Sequence, residues 1–323
     1  MPEVSVIIPC HNAAPFLREC LQSVSAQTFP DWEIIAVDDC STDGSPEILE
    51  EFAVGEPRAR LIRHAENRGV SASRNDGLDR AAGRFVMFLD ADDFLPPGAI
   101  GGLLDLQQVA GAALACGNGR AFLDGEKTDG DFFYPADIKM NCVLPQDADG
   151  FCAAQRVMAS SCFKLFAREM IQENRLRFSP ELSYGEDTLF VHAFALLGGG
   201  IAVDTSLDVY RYRQHAASAM HAFDLGRRLK NLETLVTAIR RLGDARAPGL
   251  GLKLARGKAA EYLWSVKKYG KDPAEKKARM REILQSAFFS ETLYPALTRH
   301  GKFKHRLCLR LLAAGCRHAI NWW

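Results

Sequence analysis

Residues 88–94 read FLDADDF and residues 184–190 read YGEDTLF. The first stretch sets three carboxylates, Asp90, Asp92 and Asp93, straight after an apolar run, RFVMFL (84–89). Carboxylates this close repel one another and resist desolvation, so something positive, an arginine or a metal ion, is required among them. Two acids at i and i+2 with the small Ala91 between them can both turn toward one divalent cation. Mg²⁺ and Mn²⁺ prefer oxygen ligands and keep positions for water and substrate phosphates, so Asp-x-Asp can hold an ion that bridges a diphosphate. A bare Asp-x-Asp is equally at home in a solvated turn; the strand before it and the third acid after it favour the metal. Glu186 and Asp187 have two readings of their own. They answer the positive end of a helix, or one of them faces the same cleft as a general base. One base is enough, and the residue types do not choose between the two acids.

These acids need elements to position them. VSVIIP (4–9), WEIIAVDD (32–39), RLIRH (60–64) and RFVMFL (84–89) are short apolar or β-branched runs suited to strands covered on both faces. Between them lie helical patterns. Asn12 is read as an N-cap and Pro15 as a first-turn proline, followed by Leu17, Cys20, Leu21 and Val24 at i, i+3, i+4 and i+7. Ser45 and Pro46 open a second helix carrying Ile48, Leu49 and Phe52, and 70–81 is a third. Such alternation predicts an α/β fold with right-handed crossovers and a mostly parallel sheet. Ligands of open α/β sheets bind at the carboxyl ends of the strands. Here those ends carry PCHN (9–12), DDCSTDG (38–44), HAENRG (64–69) and DADD (90–93), all polar. Further on, 109–118 reads as a strand, 124–150 as loop, 183–199 as a buried helix with an acidic start, and 201–218 as a strand and its exit. From about 222 the chain reads as helical and increasingly basic, with no acid after Glu291.

Bulk composition excludes several classes. The chain has 323 residues, 47% of them hydrophobic and 25% charged, with 40 basic residues against 40 acidic ones. A balanced charge gives no global attraction for nucleic acid, so electrostatic recognition must be local. No run approaches the roughly 18 apolar residues of a membrane span. MPEVSVIIP enters a strand directly, without the regions of a secretory leader. Nine cysteines, an odd number with no C-x-x-C pair, read as reduced thiols of a cytosolic protein. Neither G-x-G-x-x-G after the first strand nor G-x-x-x-x-G-K-[ST] is present, which argues against a dinucleotide oxidoreductase and a P-loop NTPase. A nucleotide can still be held through base and ribose by acids such as Asp39, with a metal taking the phosphates.

The stretches VSVIIPCHNAAPFLRECLQSVSAQTFPDWEIIAVDDCSTDGS, NRGVSASRNDGLDRAAGRFVMFLDADD, GEDTLF and YRYRQHAAS, in this order, resemble the family 2 glycosyltransferases. They reach across residues 3 to about 218. The resemblance implies a GT-A fold, Rossmann-like with flanking helices, and inverting transfer of a sugar from a nucleotide donor. On it, Pro9, His11 and Asp39 line a nucleobase and ribose pocket with Asn12 beside them. The family commonly has Tyr or Phe where His11 stands, so stacking there falls to an imidazole. Arg74 approaches the uracil or the phosphates; read without the resemblance, it is a surface arginine paired with Asp76 or Asp79. Asp90 contacts the ribose and helps place the metal, Asp92 ligates the Mn²⁺ or Mg²⁺, and Asp93 supports them. Asp187 matches the base of the family's Glu-Asp pair. His215 reaches the metal or diphosphate, its plainer reading being polar surface. The Q-x-x-R-W signature of processive members is missing, which implies addition of a single residue.

The expected organisation is therefore a GT-A catalytic domain over 1–220 and a helical region over 221–323. Within the latter, 302–323 places Leu309, Leu312, Cys316, Ile320 and Trp323 on one helical stripe and Arg306, Arg310 and Arg317 on another. A basic amphipathic helix suits a lipid surface, and equally a protein face or a second subunit. The expected partners are a nucleotide sugar, a glycan or lipid-linked acceptor and peripherally the inner face of the membrane, with no nucleic acid; oligomerisation stays open. Two rival readings fit the sequence less well. A sugar-1-phosphate nucleotidyltransferase needs a Gly-rich basic loop after the first strand, and PCHNAAPF is neither; a silent sugar-nucleotide binder has no use for a base at Asp187.

Overall fold

Val4–Cys10 forms strand β1 and Trp32–Asp38 strand β2, and all seven residues of each are buried, as strands covered on both faces require. The structure is a computed structural model that describes residues 1–124, 132–144, 146–153, 157–215, 224–269, 279–280, 282–283, 286 and 288–300. Helix α1 (Ala14–Ser25) follows β1 and buries Leu17, Cys20, Leu21 and Val24, the four periodic positions. Helix α2 (Ser45–Gly55), strand β3 (Ala59–Arg63), helix α3 (Val70–Arg80) and strand β4 (Phe85–Phe88) complete the alternating half. β1 pairs in parallel with β2 on one side and β4 on the other, and β2 pairs in parallel with β3. The order β3-β2-β1-β4 reverses direction at β1, which opens a crevice beyond the ends of β1 and β4.

Pro9 sits inside β1 without disturbing it. The Ile7 carbonyl accepts from the Leu89 N–H on the β4 side. Pro9, two residues on, turns its hydrogen-free nitrogen to that same side, just past the end of β4.

The second half departs from the expected pattern. Helix α4 (Ala99–Ala110) leads into strand β5 (Leu114–Leu123), then a short strand β6 (Lys139–Cys142) and helix α5 (Ala148–Ala153). Strand β6 falls within the stretch 124–150 expected to be loop, and α5 begins inside it and runs past its end. Strand β7 (Lys164–Ala167) inserts antiparallel between β4 and β5, and helix α6 (Arg168–Glu173) follows. Helix α7 (Glu186–Ala195) and the long strand β8 (Ile201–Gln214) end the sheet, β8 lying parallel to β5 and antiparallel to β6. Four of these seven pairings are parallel, so the eight-stranded sheet is mixed and mostly parallel.

Helices α8 (Leu225–Arg246) and α9 (Leu250–Tyr269) form a hairpin packed against α7, followed by a π-helical turn, Phe289–Leu293, and helix α10 (Tyr294–His300). At the hairpin's turn the helices meet backbone to backbone: a Cβ on Gly243 would stand 2.5 Å from the Cα of Gly251. Among the described residues no helix is long and apolar enough to cross a membrane. Cys10, Cys20, Cys40, Cys116, Cys142 and Cys162 are free thiols. The basic tail 302–323 lies outside the described residues.

Candidate functional site

The three acids after β4 have three different environments. A turn closed by the Asp93 N–H on the Asp90 carbonyl tucks Ala91 inward. Asp93 is buried, its Oδ2 accepting from the Tyr210 hydroxyl at 2.7 Å and its Oδ1 from the Arg213 N–H at 2.8 Å. Burial, joined by the charges of Asp92 and Asp90, pushes its carboxyl well above the usual range against those two bonds. Asp93 therefore fastens β8 to the turn and does not face the crevice. Asp92 does: its side chain is 30% exposed and its Oδ2 lies 3.0 Å from the Nε2 of His215, just beyond β8. The His215 ring rests 4.5 Å from that of Phe16 at the start of α1. Asp90 turns the other way, toward α3.

There it meets Arg74. The guanidinium is 3% exposed, with Nη2 donating to Asp90 Oδ1 at 2.9 Å and Nη1 donating to Glu186 Oε1 at 3.0 Å and Asp187 Oδ1 at 2.8 Å. Burial opposes the charge, yet Asp187, Asp90 and Glu186 together hold the arginine well above its ordinary pKa. The surface pairing of Arg74 with Asp76 or Asp79 is thus corrected. The helix turns Ser71, Arg74 and Leu78 inward, while Asp76 bonds His64 and Arg68, and Asp79 bonds Arg177. One cation against three carboxylates leaves the cluster negative. Burial first, then the charge of Asp187, pushes Glu186 up to about 6 despite Arg74.

Asp187 has a second donor on the same oxygen, the Ser161 hydroxyl at 2.7 Å. No described residue bonds its Oδ2, and the side chain is 21% exposed. The loop carrying Ser161 is held by Lys164, a fully buried ammonium whose Nζ donates to the Val157 carbonyl at 2.7 Å and the Cys162 carbonyl at 3.3 Å. The Cys162 thiol in turn points to Asp90 Oδ2 at 3.6 Å.

The loops after β1, β2 and β3 form the other wall. His11 Nδ1 sits 2.8 Å from the Asp39 carbonyl, which only accepts, so Nδ1 carries the proton; Nε2 then accepts from the Asn67 amide at 3.1 Å. Its ring edge is occupied. Asn12 is not the helix cap: the cap position is Ala13, and Asn12 adopts φ 53° and accepts the Thr42 N–H at 2.8 Å. Asp39 is 3% exposed. It receives His64 Nδ1 and the Arg68 N–H on Oδ1 and the Gly69 N–H on Oδ2. Burial works against its charge, but these donors hold its carboxyl below the usual value. His64 bridges Asp39 and Asp76 at 2.7 and 2.8 Å.

The crevice thus gathers Pro9, His11, Asn12 and Asp39 on one side, Asp90, Asp92 and His215 at its centre, and Arg74, Glu186 and Asp187 on the other. Ser161, Cys162, Lys164, His64 and Tyr210 take part without having been singled out by the sequence. Asp92 and His215 form a pair of donors, and among the described residues no group of three His, Cys, Asp or Glu could hold a metal. Two protein ligands fit a hard divalent ion that keeps most positions for water and phosphate. They do not fit a closed structural site.

A family model described as Glycosyl transferase family 2 matches residues 5–173, more than half the chain. The chain belongs to that family. It is 30% identical over 232 residues to the glycosyltransferase GlyG of Streptococcus pneumoniae serotype 4, covering 69% of this chain and 74% of GlyG. It is also 30% identical over 234 residues to the succinoglycan biosynthesis protein ExoO of Rhizobium meliloti. That match covers 69% of this chain and 65% of ExoO, so the chain spans less than two thirds of that relative's length. The fold is that of S. aureus TarS 1-349, solved in complex with UDP-GlcNAc, at a TM-score of 0.75 and 19% identity over 99% of this chain and 89% of that one. This family 2 chain therefore carries the GT-A fold that its opening motifs led one to expect.

Proposed function

We propose that the chain is an inverting, metal-dependent glycosyltransferase. In this reading it moves one sugar from a UDP-sugar to a glycan or lipid-linked acceptor in the cytosolic assembly of a bacterial surface polysaccharide. The observation that carries the reading is the Arg74 bridge. One buried guanidinium ties Asp90, beside the expected donor, to Asp187, which offers an unbonded carboxylate oxygen. The complex of TarS with UDP-GlcNAc supports a uridine donor, and the name of ExoO supports a polysaccharide product.

Pro9, His11, Asn12 and Asp39 would line the base and ribose pocket, and Asp90 would meet the ribose. Asp92 and His215 would hold Mn²⁺ or Mg²⁺, which when bound supplies positive charge to the departing diphosphate. The acceptor hydroxyl gives its proton to Asp187 Oδ2 as its oxygen attacks the anomeric carbon from the side opposite the diphosphate. The bond from that carbon to UDP breaks as the new C–O bond forms, and configuration inverts. Arg74 and Ser161 keep Oδ1 occupied, so Oδ2 faces the acceptor.

The test is a panel of nucleotide sugars incubated with Mn²⁺, with hydrolysis or transfer measured for the wild type and for Asp187→Asn. Turnover by the variant is expected to fall by about 10²- to 10⁴-fold, the usual worth of a general base, with UDP binding nearly unchanged by calorimetry. Equal turnover by the two proteins would remove the base assignment.

A further inference from the structure

The acids Glu186 and Asp187 open α7, and the three residues before them are each held by the C-terminal helical hairpin. The Ser183 hydroxyl accepts the Asn231 side-chain N–H from α8 at 2.9 Å. The Tyr184 hydroxyl donates to Glu261 Oε1 on α9 at 2.6 Å and accepts from Arg228 Nη2 on α8 at 3.0 Å. Arg228 also donates to Glu261 Oε1 at 2.6 Å, and Lys258 donates to its Oε2 at 2.9 Å, so the tyrosine hydroxyl is seated in a shielded ionic cluster. Gly185 adopts φ +87°, and a Cβ there would stand 2.7 Å from Leu235 Cδ2 of α8. Its carbonyl accepts the first hydrogen bond of α7, from the Leu189 N–H. Residues 224–269 lie beyond the 5–173 matched by the family model.

From this arrangement we infer that the α8–α9 hairpin positions the base: Arg228 and Glu261, acting through Tyr184, fix where α7 begins and hence where Asp187 Oδ2 points. The inference rests on the reading of Asp187 as the base. Its physical ground is directional. The ion pairs Arg228–Glu261 and Lys258–Glu261 are shielded enough to be rigid, with the Arg228 and Glu261 side chains 15% and 21% exposed. A hydroxyl bonded to both ends of such a pair is fixed in two directions. Asp187 is three residues from Tyr184, within the first turn of α7, so a shift at the tyrosine is passed on with little damping. Displacement of a base by about an ångström is enough to cost on the order of 10²-fold in rate. The donor-side residues Asp39, Asp92 and His215 have no bond to the hairpin among the described residues, so the hairpin reaches the donor side only through Asp187, Arg74 and Asp90.

The test uses the full chain with Tyr184→Phe, which deletes one oxygen, and Glu261→Gln, which keeps the shape but not the charge. Turnover is measured on the UDP-sugar that the wild type hydrolyses fastest, and UDP affinity and stoichiometry are measured by calorimetry with Mn²⁺. The expected result is a fall of about tenfold or more in kcat for both variants, with the UDP dissociation constant within about twofold and binding stoichiometry unchanged. A merely structural role would lower stoichiometry and kcat in step, and that result overturns the inference. Wild-type kcat in Tyr184→Phe overturns it too. If Glu261→Gln does not fold, Tyr184→Phe with Asn231→Ala decides the matter by the same readouts. Asp187→Asn runs alongside: if it turns over like wild type, the base reading fails and this inference with it. If it is inactive while Tyr184→Phe is normal, only the hairpin's role is lost.

Discussion

Ser161 and Arg74 together leave Oδ2 as the oxygen of Asp187 that no described residue bonds. With Arg74 and the Ser161 hydroxyl both on Oδ1, the carboxylate cannot rotate without losing two charge-assisted bonds, each worth about 1.5–3 kcal/mol. Ser161→Ala removes one of them and loosens the hold on the carboxylate's orientation. On the reading of Asp187 as the base, kcat of Ser161→Ala is expected to fall several-fold with UDP affinity unchanged by calorimetry; a wild-type kcat would show that the hydroxyl does not orient the carboxylate. Glu186 gives the cluster a pH signature. Its folded pKa, about 6, lies above its ordinary 4.5, so the folded state holds the proton more tightly than the unfolded chain. Stability from this group is therefore fully present below about 4.5 and declines as pH rises to about 6, a change of about 2 kcal/mol. Urea denaturation across that window should show a smaller decline in Glu186→Gln than in the wild type, since the raised carboxyl of Asp93 acts with the same sign in both.

At the scale of elements, the approach of α3 to β1 sets the height of Arg74 over the strand ends. Gly77 permits that approach, since a Cβ there would stand 2.4 Å from Ile7 Cγ2, a fully buried side chain of β1. Gly77→Ala would gain helix propensity but overpack this seam, so a net loss of about 1–3 kcal/mol is expected by chemical denaturation, with weaker turnover as Arg74, one turn away, is lifted. The elements of this half were legible because β1 and β2 are short, largely apolar runs and α1 shows all four of its buried positions at helical spacing. β6 and α5 were not: Lys139–Cys142 is a short strand at the sheet's edge with only Cys142 buried, too brief to show a period. Nor could four residues of β7 announce that they run antiparallel between β4 and β5. In the site, acids at strand ends could be read directly. The burial of Arg74 could not, because its partners lie 16, 112 and 113 residues away and its helix is otherwise polar. Ser161 was hidden for the same reason, its partner Asp187 lying 26 residues away.

For the molecule as a whole, balanced charge conceals an uneven distribution. No acid follows Glu291, while Lys302, Lys304, Arg306, Arg310 and Arg317 crowd the last stretch beside Leu309, Leu312, Ile320 and Trp323. Cationic groups near an anionic surface gain about 1 kcal/mol each and lose it within a Debye length, so a lipid contact made through this stretch must weaken with salt. On the proposed reading of a lipid-linked acceptor, such a contact would confine the enzyme to the plane of that acceptor. The full chain is expected to sediment with liposomes containing anionic phosphatidylglycerol at low salt, to be released at about 0.5 M NaCl, and to ignore neutral liposomes. Deletion of 302–323 should abolish sedimentation while leaving UDP binding intact, because the donor-side residues lie in the first 215 positions. If the truncated chain sediments like the full one, the basic stretch is not the lipid contact. If neither sediments, the acceptor must come to the enzyme through solution.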